Sequence, residues 1–231
     1  MTTIHDLDFT KGLDLILHTP GGGTAATESI VDYLRNMFGT DIRAIIPQIA
    51  MSGGTMIACA CKSILMGNQS SLGPIDPIFR GIPAHGVIEE FKQAYKECKA
   101  DSAKIPLWQQ IIAKYHPTLI GECNKAIKWA EEMIEEWLLS GMLKDDPKAK
   151  TKIKKIKKEL GDHALTKSHE RHLSSVKCEE AGLVIEKMED NPNLQDAILS
   201  VHHACMHTFS QTNAYKIIEN HNGKAYVLQA R

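Results

Sequence analysis

The sequence predicts an α/β layered domain, on three observations. Two short β-prone apolar runs each end in a glycine turn and pass into a pattern of helical period. A third short strand follows the second of these units. The later half of the chain is dominated by helical periodicity. Two strand–turn–helix units in succession are the pattern of a layered α/β architecture.

The elements follow in order. The run Leu13-Asp14-Leu15-Ile16-Leu17-His18 stops at Pro20 and three glycines. Beyond Thr24 the period changes, with Ala26, Ile30, Tyr33, Leu34, Met37 and Phe38 at helical spacing. A second strand is expected from Ile42 to Ala50, then a tight turn at Ser52-Gly53-Gly54 and a small-residue helix from Thr55 to Cys61. Ser63-Ile64-Leu65-Met66 reads as a third strand, leading into the turn-rich stretch Gly67 to Pro77.

Further on, Ile120, Cys123, Ile127, Ala130, Ile134, Trp137 and Leu138 share one face of a long helix. From Asp145 to Lys158 the lysines 148, 150, 152, 154, 155, 157 and 158 stand against Asp145 and Asp146. Because Ile153, Ile156 and Leu160 give this stretch a narrow apolar face, 144–160 reads as a solvated lysine-rich helix or a mobile arm, not as a nucleic-acid patch. Leu194, Ala197, Ile198, Val201, Cys205, Thr208 and Phe209 mark another amphipathic helix, and Ala225 to Gln229 a closing strand. There is no internal repeat and no Gly/Ser linker, so 1–231 is expected to form one domain.

Composition narrows the function classes. The chain is 43% hydrophobic and 24% charged, as in an ordinary globular protein. A net charge of −1 provides no global field for nucleic acid or an anionic membrane. No apolar run approaches the roughly 18 residues that span a bilayer, and Met1 to Lys11 does not have the pattern of a secretory leader. A cytoplasmic location is expected, with membrane association only through a partner. The six cysteines are scattered and read as reduced core residues. The lone C-x-C pair Cys59/Cys61 lacks the second pair that a zinc site needs, and neither metal nor cofactor is expected.

The two glycine turns carry the chemistry. Acyl transfer needs a nucleophile in a tight turn and backbone N–H donors aimed at the developing oxyanion. Ser52 stands between a strand and a helix, with Gly53 and Gly54 leaving room for a substrate carbonyl. The helix N-terminus adds a positive dipole. The turn Gly21-Gly22-Gly23 can bring its backbone close to a ligand and supply an oxyanion hole, together with the amide of Gly53. Two blander readings compete. A serine before two glycines often only caps its helix, and a glycine turn after a strand can bind phosphate. Thr19 to Ala26, however, does not fit G-x-G-x-x-G, and the phosphate-loop lysine is absent.

Three segments carry a resemblance: Leu17-His18-Thr19-Pro20-Gly21-Gly22, Ala50-Met51-Ser52-Gly53-Gly54-Thr55 and Leu72-Gly73-Pro74-Ile75-Asp76-Pro77. In this order they resemble the serine dehydrogenase proteinase family, a branch of the ClpP/crotonase superfamily related to the signal peptide peptidase SppA. Glu179-Glu180-Ala181-Gly182-Leu183-Val184 resembles a late element common in the superfamily. The resemblance implies repeated ββα units, two roughly perpendicular sheets and a helical C-terminal part. It also implies Ser52 as nucleophile, the Pro-Gly-Gly turn as oxyanion loop, a peptide or protein substrate and a homo-oligomer. The chain begins close to the first motif strand, so early strands usual in that fold are expected to be short or missing.

The general base is less legible. Where ClpP carries a histidine after its nucleophile, this sequence holds Ile75, so a ClpP-type triad is not expected. SppA-like enzymes use a lysine, and the matching residue is Lys104, with Ile105, Leu107 and Trp108 as apolar surroundings that would lower its pKa. Asp76 is either an orienting carboxylate or a turn cap. His85 reads as a loop histidine. Among the later histidines, His202 borders an apolar helix face, His203 and His207 share another, and His169 and His172 lie near the Glu179–Val184 element. These later histidines are the remaining candidates for the base, with His169 and His172 where substrate could pass, although each reads first as structural or exposed. The expected function is a serine peptidase with Ser52 as nucleophile and Lys104 as base. The alternatives are a crotonase-fold enzyme acting on an acyl thioester and a non-catalytic assembly or regulatory subunit.

Overall fold

The computed structural model describes residues 2–79, 81–161 and 171–230. Its elements in chain order begin with β1 (Leu13–Ile16), α1 (Thr24–Phe38), β2 (Ile42–Ile46), β3 (Ile49–Ala50), α2 (Gly53–Cys59), β4 (Ser63–Met66), β5 (Ser71–Leu72) and the small hairpin β6 (Ile78–Phe79) and β7 (Ile82–Pro83). The helices α3 (Ala84–Ala100), α4 (Ile105–Ile112), α5 (Leu119–Ser140) and α6 (Ala149–Gly161) follow. Next come β8 (Leu173–Ser174), α7 (Ser175–Ala181), β9 (Ile185–Lys187), α8 (Pro192–Gln211) and the hairpin β10 (Ala214–Glu219) and β11 (Ala225–Gln229).

The chain is α/β, with parallel and mixed sheets. One sheet has the order β1-β2-β4-β9, all parallel, and a second has the order β3-β5-β8, with β3 and β5 parallel and β8 antiparallel to β5. The single strand expected from Ile42 to Ala50 is two. It breaks at Pro47, whose missing N–H ends the ladder of a central strand, and Ile49–Ala50 then joins the second sheet. The short helix starts at Gly53 rather than Thr55, directly after the serine.

Alternation divides the parallel sheet into two faces. Ile42, Ala44 and Ile46 of β2, with Ile64 and Met66 of β4, face the main core, together with Val31, Leu34 and Phe38 of α1 and Met56, Ile57, Ala58 and Cys59 of α2. Ile45 and Leu65 face the other way and are covered by Met188, Leu194 and Ile198. The lysine-rich stretch is helix α6, and its narrow apolar stripe of Ile153, Ile156 and Leu160 lies buried in the main core. Arg35 of α1 ties two helix ends together. Its guanidinium donates to the carbonyls of Ala60 (2.7 Å) and Trp137 (2.9 Å), at the C-terminal ends of α2 and α5, and to the Ser140 hydroxyl (2.7 Å).

A smaller core of Ala84, Val87, Leu119 and Cys123 holds α3 against α5. His85, expected in a loop, lies in the first turn of α3. Among the described residues no helix is long and apolar enough to cross a membrane.

Candidate active site

Both glycine turns lie at the carboxyl ends of strands, where open α/β sheets place their ligands. β1 runs into Thr19–Gly23, and β3 runs into Ser52. Ladder bonds stitch the two turns together. Thr19 N–H donates to the Ile49 carbonyl (3.1 Å), Met51 N–H donates to the Thr19 carbonyl (3.0 Å), and Thr19 and Ala50 form a parallel bridge.

Ser52 is the only non-glycine residue with positive φ among the described residues, at φ 49° and ψ −114°. Such a conformation costs on the order of 1–3 kcal/mol and persists only where its surroundings impose it. Here they do. Gly54 N–H donates to the Met51 carbonyl (2.8 Å) and Met56 N–H to the Ser52 carbonyl (3.0 Å), closing the turn into α2. The Ser52 side chain does not cap this helix, so the blander reading of the serine as an N-cap does not hold.

The glycines answer to close approach. Gly21 has φ 114°, and a β-carbon there would lie 2.8 Å from Cβ of Ser52. On Gly53 it would lie 2.5 Å from Thr27 Oγ1 and 3.2 Å from the Gly22 nitrogen, so the two turns are in contact. Thr27 Oγ1 also donates to the Gly23 carbonyl (3.1 Å), and Thr19 Oγ1 accepts from Gly21 N–H (3.1 Å). Gly22 and Gly23 face open space. Among the described residues the N–H groups of Gly22, Gly23 and Gly53 donate to no protein acceptor, which leaves them available to a ligand.

These turns line a cleft of ≈ 710 Å³. Its walls are Pro20, Gly22, Gly23, Thr24, Met51, Ser52, Met56, Ile75, Asp76, Pro77, Ile78 and His172. Asp76 is 1% exposed. The C-terminus of α6 anchors its loop, since Ile75 N–H donates to the Leu160 carbonyl (2.9 Å). On its other side Asp76 borders a narrow crevice with His85, Glu131 and Lys157. Lys157 is held there between Glu135 (3.1 Å) and Glu131 (3.3 Å).

His172 comes to the cleft through strand pairing. β8 pairs with β5 as Leu173 opposite Leu72 and Ser174 opposite Ser71. His172 directly precedes Leu173, and Gly73, three residues before Asp76, directly follows Leu72. This pairing joins segments far apart in the chain; the sequence offers His172 only as one of several later histidines near the Glu179–Val184 element.

Lys104 is placed elsewhere. It lies in a short 3₁₀ turn before α4, outside the cleft lining, and its amine pairs with Glu97 (3.3 Å). The apolar shelter expected from its neighbours does not form around it: Ile105 is 40% and Leu107 58% exposed, and Trp108 turns inward to donate to Glu97 (3.1 Å). His169 lies outside the described residues. His202 is buried, with its ring 4.8 Å from that of His18, and burial holds both imidazoles below their ordinary pKa. Cys59, Cys61 and Cys178 are buried thiols, and desolvation pushes Cys61 and Cys178 up to about 12, far from a reactive thiolate. Among the described residues no group of three or more His, Cys, Asp or Glu is placed to hold a metal ion.

Known proteins resemble this chain over most of its length. Residues 3–195 match the family described as ClpP-like SDH-type serine proteinase. Two proteins of Methanocaldococcus jannaschii, both named as uncharacterized, are similar. MJ1495 is 31% identical over 173 residues, which is 75% of this chain and 51% of that protein. MJ0137 is 39% identical over 97 residues, 42% of this chain and 33% of that protein. The chain thus spans about half the length of the first and a third of the second. No solved structure matches it.

Proposed function

The chain belongs to the family of ClpP-like SDH-type serine proteinases, and from that premise we propose that it hydrolyses peptide bonds through an acyl-enzyme on Ser52, with His172 as general base and Asp76 as the carboxylate behind it. The observation that supports this reading is the convergence of Ser52, Asp76 and His172 on one cleft. Lys104, the base expected from the sequence, lies outside that cleft and is already paired.

Each group has a chemical role. His172 takes the Ser52 proton as Oγ attacks the scissile carbonyl, and it returns that proton to the leaving amine. The buried Asp76 favours the imidazolium that forms in between. The N–H groups of Gly22, Gly23 and Gly53 receive the oxyanion. Water then attacks the acyl-enzyme with His172 again as base and releases the carboxylate product. Met51, Met56, Ile75 and Ile78 line the walls beside Ser52, so an uncharged apolar side chain next to the scissile bond suits the site.

The test is covalent labelling by a fluorophosphonate, located by peptide mass. Wild type is expected to carry the adduct on Ser52, Ser52→Ala none, and His172→Ala to react at least 100-fold more slowly. A folded wild-type protein that takes no label, or that turns over a coenzyme A thioester with Ser52→Ala fully active, would refute the nucleophile.

A further inference from the structure

We propose that Thr55 is a positioning residue that sets the nucleophile turn against the strand end carrying the rest of the catalytic group, an inference resting on the serine reading above. Thr55 lies on α2 one turn after Ser52 and is 0% exposed. Its hydroxyl lies 2.7 Å from the Ala50 carbonyl and 3.0 Å from the Gly73 carbonyl as donor, and it accepts from Gly73 N–H at 2.9 Å.

The place of this contact gives it meaning. β3 and β5 are paired as far as Ala50 opposite Leu72. At the next residue they diverge, because Met51 begins the turn to Ser52 while Gly73 begins the loop to Asp76. A buried peptide with no ladder partner there would be expensive. The Thr55 hydroxyl takes the place of that partner: it accepts from the Gly73 N–H, while its single proton lies between the carbonyls of Ala50 and Gly73, nearer to Ala50. Met51 closes the other side, since a β-carbon on Gly73 would lie 2.5 Å from Met51 Cε.

Gly73 also directly follows Leu72, whose partner in β8, Leu173, directly follows His172. One buried hydroxyl therefore joins the end of β3, from which Ser52 projects, to the segment leading to Asp76 and flanking His172. Displacement of a reacting group by about 1 Å can cost about 100-fold in rate. A clamp at this junction therefore acts on turnover before it acts on substrate binding.

Three variants separate positioning from plain packing. Thr55→Val keeps the shape and removes the hydroxyl, Thr55→Ser keeps the hydroxyl and removes the methyl, and Thr55→Cys keeps the volume with a weak donor. Measured on folded protein, Thr55→Val is expected to lower kcat and the rate of fluorophosphonate labelling of Ser52 at least 10-fold, with KM within about 3-fold. Thr55→Ser is expected to stay within about 3-fold of wild type in both, although it loses packing. If Thr55→Val does not fold, Thr55→Cys takes its place with the same expectation. Wild-type labelling and kcat in the hydroxyl-free variant, or an equal loss in Thr55→Ser, overturns the positioning role. A wild-type protein not labelled at Ser52 fails at the earlier step, and both readings fall with it.

Discussion

Gly21 is pressed against Ser52 so closely that a methyl group on the glycine would lie 2.8 Å from Cβ of the serine and 2.9 Å from the carbonyl oxygen of Met51. Neither neighbour can give way. One belongs to Ser52, the proposed nucleophile, and the other accepts the hydrogen bond that closes its turn. Gly21→Ala also places a side chain at φ 114°, where L-residues are strained. The variant is expected to lose about 100-fold or more in kcat/KM, whereas Gly23→Ala, whose methyl meets nothing within 4 Å, folds as wild type does. Peptidase kinetics and thermal unfolding of the pair check this. Equal activity in wild type and Gly21→Ala would contradict the observed contact.

The choice of base separates two residues cleanly. His172→Ala is expected to lower kcat by about 100- to 10,000-fold, the range of general base catalysis, and Asp76→Asn by a similar order. Lys104→Ala is expected to leave kcat within about 2-fold and to change stability by under about 1 kcal/mol, because its pair with Glu97 is largely solvated. A kcat that collapses in Lys104→Ala and survives in His172→Ala would restore the lysine dyad.

Helix α6 is charged outside and apolar beneath, so substitutions on its two sides diverge. Ile156 is 0% exposed in the main core, and Ile156→Ala is expected to cost about 2–5 kcal/mol. Lys154→Ala on the exposed side is expected to stay within about 0.5 kcal/mol. Denaturant unfolding measures both. Equal small effects would mean that the lysine-rich stretch is an arm after all.

The paired imidazoles of His18 and His202 predict a slope of stability with pH. Burial lowers both below 6.5, and for His202 the neighbouring His18 and His203 lower it further. The unfolded chain therefore binds more protons than the folded one between 6.5 and the depressed values. Stability is complete above about pH 6.5 and falls as the pH drops through the depressed range. His202→Gln is expected to flatten this slope, read as denaturant midpoint against pH from 8 to 5. An unchanged slope would assign it to other groups.

How much of this was legible beforehand follows from the range of each interaction. Period and turn chemistry act within a few residues, so the strand–glycine turn–helix units, the long helix α5, the apolar stripe of α6 and the place of Ser52 could all be read from the chain alone. The resemblance of three short motifs likewise identified the family. That β2 and β3 belong to different sheets came from the folded packing, since a break at one proline redirects a strand without altering its apolar pattern. Packing likewise leaves Lys104 in solvent while Trp108 turns inward, and sets Thr55 rather than a backbone group on the Gly73 peptide. The position of His172 is the clearest case: a histidine in a polar stretch reaches the cleft only because β8 pairs with β5. Long-range pairing is settled by burial and hydrogen bonding summed over the whole fold, and a local segment does not contain that sum.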